Sequence, residues 1–284
     1  MRGRKRSILS ALYQAKQGES MTSAAEWIDL TGKVAHVTGG GKGIGRGIAR
    51  ALSMAGARVM VSDINAQAAE ETAGEIGGSG MGLDVTKSSA VDAALEATVK
   101  EMGALDILVN NAGVYQGYGG PVETITDDMW QTLWSVNVDG VFYMCRSAAG
   151  IMKAQGRGGR IINIASTQAV TPGVGVTYDG SKAAVTQITK ALALELAPHG
   201  INVNALAPGP TWVQEGEPPP ITGEVPPSGG DPLADTVADR IARLPLGHWG
   251  NPIEQGKAAV FLASDMSAFV TGIYLPVDGG WLTL

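Results

Sequence analysis

Tyr178 and Lys182 stand four residues apart in "TYDGSKAA" (177–184), a spacing that puts both side chains on one face of a helix. A phenol with an ordinary pKa is a poor base near neutrality, and bringing it from about 10 to about 7 takes roughly 4 kcal/mol of extra phenolate stabilisation. An ammonium about 4 Å away supplies about that much at an effective dielectric near 20. The pair therefore reads as a proton-transfer couple, against the plainer reading of two exposed residues at chance helical spacing. The second candidate is "TGGGKGIG" (38–45), five glycines around Lys42. A P-loop places Ser or Thr after Gly-Lys, but Gly43 follows Lys42, so ATP and GTP are disfavoured. Gly39, Gly43 and Gly45 instead suit a dinucleotide pyrophosphate, with a plain glycine turn as the alternative. Asp63, eighteen residues beyond Gly45, is placed to accept hydrogen bonds from adenosine ribose hydroxyls, or to cap the helix that starts near Ala66.

These residues need a scaffold, and the chain alternates in a way that provides one. Short apolar, β-branched runs at 34–38, 57–63, 80–85, 105–111, 159–166, 201–208 and 272–279 predict strands. Helical periodicity fills 43–55, 66–77, 88–102, 126–155, 178–197 and 252–264. Seven strands alternating with six helices predict an α/β fold in one domain, a doubly wound parallel sheet with helices on both faces. The glycine loop then follows the first strand and opens the first helix, where backbone N–H groups and the helix dipole favour an anion.

Composition narrows the classes. With 284 residues, 44% of them hydrophobic, one large core is expected. Residues 1–20 carry five Lys/Arg against Glu19, so from a total of −6 the remaining body is near −10, which disfavours nucleic acid as a partner. A single cysteine, Cys145, excludes an internal disulfide and fits a cytoplasmic, reducing compartment. His36, His199 and His248 show no ligand spacing, so no metal is expected; His36 reads as a hydrogen-bonded core imidazole and Cys145 as buried and inert. No apolar run is long enough to span a membrane. Residues 1–26 read as a disordered basic leader and 27–284 as the single domain.

Six ordered motifs carry a resemblance: T-G-x-x-x-G-x-G, "NNAG" (110–113), "VNV" around Asn137, Ser166, Tyr178-x-x-x-Lys182, and "PG" (208–209). Over about residues 29 to 280 the chain resembles the short-chain dehydrogenase/reductase family. That resemblance implies a Rossmann-type fold and an oxidoreductase that interconverts a secondary alcohol and a ketone. It further implies that Tyr178 is the acid/base and that Lys182 lowers its pKa and binds the nicotinamide ribose. Ser166 would hold the substrate oxygen, and Asn137 would support a water-linked proton relay through Lys182. The coenzyme would be contacted by Gly39, Lys42, Gly43, Ile44, Gly45, Asp63, Asp84, Val85, Asn110, Ala112, Gly113, Pro208, Gly209 and Thr211. Two departures stand out. Ser166 and Tyr178 are twelve residues apart where many relatives have thirteen, with Thr167 as the substitute hydroxyl, and Thr211 comes early after "PG".

Lys42 alone points to NADP, whereas Asp63 repels a 2′-phosphate and no arginine follows it, so NAD is expected. Residues 210–247, rich in Pro and Gly, occupy the place where the resembled family keeps its substrate lid, with an idle insertion as the alternative, and Trp212, Val213, Leu233 and Ile241 offer apolar surface there. Gln168, Tyr115 and Tyr118 would line the opposite wall, around a small or medium uncharged alcohol or ketone. A 3-oxoacyl-carrier-protein reductase, a sugar or polyol dehydrogenase, and a non-catalytic dinucleotide-binding protein are the alternatives. The apolar C-terminal tail "YLPVDGGWLTL" is of the kind that packs against a neighbouring subunit in the resembled family, so the resemblance implies a homotetramer, or a homodimer.

Overall fold

Valine, isoleucine and leucine on successive strand positions need cover on both faces, and helices supply it. The computed structural model describes residues 23–115, 117, 119–214, 217, 242 and 244–283. The strands are β1 (Val34–Thr38), β2 (Arg58–Asp63), β3 (Ser79–Gly82), β4 (Ile107–Asn110), β5 (Gly159–Ile164), β6 (Ile201–Pro208) and β7 (Tyr274–Val277). All pair in parallel, in the order β3-β2-β1-β4-β5-β6-β7. The order reverses between β1 and β4, which opens a crevice at their carboxyl ends.

The helices are α1 (Gly43–Met54), α2 (Ala66–Ile76), α3 (Ser88–Met102), α4 (Asp127–Trp134), α5 (Gly140–Gln155), α6 (Val176–Leu196) and α7 (Pro252–Ala263). Ile107, Val109, Ile162 and Ile164 point to one face, where they pack with Ile48 and Leu52 of α1 and Leu262 of α7. Leu108 and Ile161 point to the other, against Leu95 of α3, Met144 of α5 and Val185 of α6. Glycine lets α1 and α7 touch backbone to backbone: a Cβ at Gly47 would lie 2.4 Å from the Pro252 carbonyl carbon. That contact fixes the angle at which α1 leaves the glycine loop. His36 is fully buried, with Nδ1 2.8 Å from Thr98 Oγ1 and Nε2 2.8 Å from Ser62 Oγ, and desolvation pushes it down to about 4, as expected of a neutral core imidazole. Cys145 is buried, and desolvation pushes its thiol up to about 12.

Three expectations are corrected. The strand expected over 80–85 ends at Gly82, because Asp84 Oδ1 accepts hydrogen bonds from the Thr86 N–H and hydroxyl and turns the chain. The helix expected over 126–155 is two helices joined by a π turn, Ser135–Asp139, that carries Asn137. An inserted residue of this kind re-aims a side chain without disturbing the apolar period on either side. The helix expected from Tyr178 begins two residues earlier, at Val176. A 3₁₀ turn, Ala24–Trp27, spans the expected boundary between leader and domain, and residues 1–22 lie outside the described residues, as do most of the lid segment, Leu233, Ile241 and Tyr118. No helix among the described residues is long and apolar enough to cross a membrane, and they hold no group of three or more His, Cys, Asp or Glu suited to a metal ion.

Candidate active site

The glycine loop closes on itself because nothing larger fits. A Cβ at Gly45 would lie 2.2 Å from the Gly39 carbonyl oxygen, and Gly39 and Gly43 adopt φ of 61° and 55°. Two side chains absent from the expected set hold this loop. Asn111 Nδ2 donates to the carbonyls of Thr38 (3.0 Å) and Gly39 (2.8 Å), while Thr38 Oγ1 accepts from the N–H groups of Asn111 and Ala112, each at 3.1 Å. Their signal was in the sequence, since Thr38 opens the loop and Asn111 is the second residue of "NNAG".

α1 begins without a side-chain cap and without an acidic residue in its first turn. By contrast, α2 is capped by Asn65, and α7 has a full capping box from Asn251 and Glu254. A twelve-residue helix with an unsatisfied N-terminus behind three glycines fits a pyrophosphate. Asp63 is not the cap of α2: its Oδ2 accepts from the Gly41 N–H at 3.0 Å and its Oδ1 from the Asn65 N–H at 3.0 Å. The carboxylate thus sits at the end of β2 beside the loop, with further lone pairs for ribose hydroxyls. Lys42 is exposed at the position before α1, and Val213 lies against Gly43, where a Cβ would be 3.4 Å away.

The structure brings Asn137, Ser166, Tyr178 and Lys182 together at the carboxyl ends of β4 and β5. Lys182 Nζ donates to the Ile164 carbonyl at 2.8 Å and lies 5.7 Å from the Tyr178 ring centroid. Ser166 lies close enough to the Tyr178 hydroxyl to oppose the rise of its pKa. Asn137 is fully buried: its Oδ1 accepts from the Val114 N–H, and its Nδ2 donates to the Val114 carbonyl and to Ser181 Oγ. Ser181, also outside the expected set, donates to the Tyr178 carbonyl at 2.7 Å and so ties the π turn to the first turn of α6. Asn137 and Lys182 meet over Gly113, where a Cβ would lie 3.3 Å from Asn137 Oδ1 and 3.6 Å from Lys182 Nζ.

Burial dominates the electrostatics of the Tyr178–Lys182 pair. Desolvation pushes the Tyr178 phenol up to about 12; Ser166 opposes this, and Tyr115 and Asp179 add to it. Desolvation also pushes Lys182 down to about 8. Lys182 lies over the Tyr178 ring with one N–H on the Ile164 carbonyl, and burial rather than the lysine dominates the phenol in this geometry. In the reducing direction the neutral phenol gives its proton to a developing alkoxide, and oxidation is the same transfer reversed.

Gln168 follows Ser166 in a short 3₁₀ turn, buried, with its N–H on Ser166 Oγ and its Oε1 without a partner. Tyr115 packs edge-on against Tyr178, ring centroids 5.9 Å apart. Asn110 turns inward instead, donating to Asn163 Oδ1 and Cys145 Sγ. Asp84 is held in its turn, and Val85 packs against Gly140. Thr211 bridges to Gly250 and accepts from Gln255 Nε2, while Trp212 packs edge-on against Trp249. Pro208 ends β6, and Gly209 donates to the Val277 carbonyl.

A family model described as enoyl-(acyl carrier protein) reductase, from the short-chain dehydrogenase/reductase family, matches residues 39–282. The chain is 39% identical over 263 residues to 4-formylbenzenesulfonate dehydrogenase of Comamonas testosteroni, covering 89% of this chain and 99% of that one. It is 38% identical to sorbitol dehydrogenase of Cereibacter sphaeroides, covering 89% and 99%. A crystal structure of gluconate 5-dehydrogenase from Burkholderia cenocepacia, in complex with NADP and tartrate, superposes with a TM-score of 0.79 at 35% identity, covering 92% of this chain and 100% of that one.

Proposed function

This chain belongs to the short-chain dehydrogenase/reductase family, and from that premise we propose the parts its residues play. It is an oxidoreductase acting on CH–OH groups, interconverting an alcohol and a carbonyl with a nicotinamide dinucleotide. The substrate is an uncharged polyol or sugar-derived secondary alcohol and the coenzyme is NAD. The observation that carries the roles is Ser166 beside the Tyr178 hydroxyl and buried Lys182, at the carboxyl end of the sheet where the uncapped α1 also begins.

Tyr178 exchanges the proton of the reacting hydroxyl, and Ser166 orients that oxygen. Lys182 fixes the end of β5 and offers its remaining N–H bonds toward the ribose of the coenzyme. Asn137 shapes the space over Gly113 in which a proton-relaying water would sit. Gly39, Ile44 and Gly45 present backbone to the pyrophosphate, and Asp63 takes the adenosine ribose. Asp84, Val85, Ala112 and Gly113 border the adenine and central region, where Asn110 contributes its backbone alone because its side chain turns inward. Pro208, Gly209 and Thr211 border the nicotinamide, which when bound supplies or takes the hydride.

NAD is favoured over NADP because the Asp63 carboxylate beside Gly41 is a like charge for a 2′-phosphate, whereas exposed Lys42 is free to turn into solvent. Exposed Trp130 and Phe142 on α4 and α5 support a homotetramer, and a monomer in light scattering overturns that part. Residues 27–284 act as one domain, and the chain works in the cytoplasm. The test of the proton role is Tyr178→Phe, which should cost about 10³-fold or more in turnover while NADH binding by fluorescence stays intact; full turnover in that variant contradicts the mechanism.

A further inference from the structure

Among the relatives, the printed substrates differ most plainly in charge: sorbitol is neutral, whereas gluconate and formylbenzenesulfonate are anions. The carboxylate of the residue after Tyr178 bears on that choice. Asp179 follows Tyr178 on the first turn of α6, and its Oδ2 accepts from the N–H groups of Gly173 (2.9 Å) and Gly175 (3.3 Å). Its Oδ1 is buried and has no hydrogen-bond partner. The side chain lines an open cavity of about 540 Å³ formed with Pro172, Val174, Val176 and Gly180. No lysine or arginine occurs at 111–126, 165–175 or 209–214, the loops that follow β4, β5 and β6. The nearby cation, Lys182, already donates to the Ile164 carbonyl.

We propose that Asp179 is a specificity-determining residue that holds the 172–176 loop with one carboxylate oxygen and, through its charge, selects uncharged hydroxy substrates over sugar acids. The inference rests on the reading of the site as an alcohol dehydrogenase. A substrate whose reacting oxygen sits at Ser166 and Tyr178 extends past a loop wall that offers a carboxylate no counter-charge. The Asp179 charge reaches the Tyr178 hydroxyl, where it contributes to the raised phenol pKa. A purely structural residue that tied down the loop would bring no discrimination by charge.

The test compares D-sorbitol with D-gluconate, which differ in one terminal group, using the full chain and saturating NAD. For the wild-type chain, kcat/KM should favour sorbitol. Asp179→Asn keeps an oxygen acceptor for the Gly173 and Gly175 N–H groups but removes the charge, and should raise the gluconate-to-sorbitol ratio at least about tenfold. Asp179→Glu, which restores the charge, should leave the ratio low. If the variants fold poorly by thermal melting, the wild-type chain still decides: raising salt from about 20 to about 500 mM should lift the ratio by screening the repulsion. A ratio that moves with neither charge removal nor salt, or equal use of both substrates by the wild-type chain, overturns the inference. Failure to oxidise any alcohol with either coenzyme overturns instead the reaction reading beneath it.

Discussion

The two halves of the crevice are built on different principles. On the β1–β2 side the contacts offered to a ligand are backbone groups: glycines that clear space, an uncapped helix terminus, and one carboxylate already tied to the Gly41 N–H. On the β4–β5 side they are side chains whose chemistry is set by desolvation, with Tyr178 pushed up to about 12 and Lys182 down to about 8. A backbone site is written into residue type and spacing, because only glycine has the required shape. A desolvated site depends on what surrounds it, so the same Tyr-x-x-x-Lys spacing is compatible with a phenol above or below its usual pKa.

This contrast is broken most strongly on the side-chain half. Ser166→Ala removes the hydroxyl that meets Tyr178, and kcat should fall about 10²- to 10³-fold with coenzyme affinity little changed; a loss shared equally by coenzyme binding would place Ser166 on the backbone half instead. On the other half, Asp63→Ala should cost roughly 10- to 100-fold in the NAD-to-NADP ratio of kcat/KM, the worth of charge-assisted hydrogen bonds to the ribose, while leaving the alcohol KM nearly unchanged.

Asn111→Ala unpins the loop from β4 and leaves buried carbonyls unmatched, so stability in denaturant should drop by about 1–3 kcal/mol, with a raised KM for the coenzyme but not for the alcohol. His36 lies outside both halves and reports on the sheet alone. Its pKa in the folded chain, about 4, is below that of an exposed imidazole, so the unfolded chain takes the proton first and stability is lost as pH falls from about 6.5 toward 4. By pH 5 the loss should be about 2 kcal/mol relative to pH 7, and His36→Gln should abolish that part of the slope.

The same contrast explains which features could be read from the residues. The seven parallel strands and the glycine loop were legible, since β-branched runs, Gly39, Gly43 and Gly45 each impose a local shape. The π turn at Ser135–Asp139 was not, because the apolar period of 126–155 continues through it, and the requirement that Asn137 reach Val114 is a tertiary one. The early end of β3 came from one Asx turn at Asp84. Asn111 was passed over for Asn110, although Asn110 faces the core and Asn111 holds the loop. Burial of the Tyr178 hydroxyl and the Lys182 ammonium appears only when β4, β5 and α6 are assembled.

The central claim, that an alcohol is oxidised here by NAD at a site built for it, is tested most directly by absorbance at 340 nm with a panel of polyols, simple secondary alcohols and matching ketones, NAD and NADP in parallel. NADH formation with at least one polyol, at a higher kcat/KM for NAD than for NADP, is the predicted result. Higher catalytic efficiency with NADP, or no reduction of either coenzyme across the panel, contradicts it.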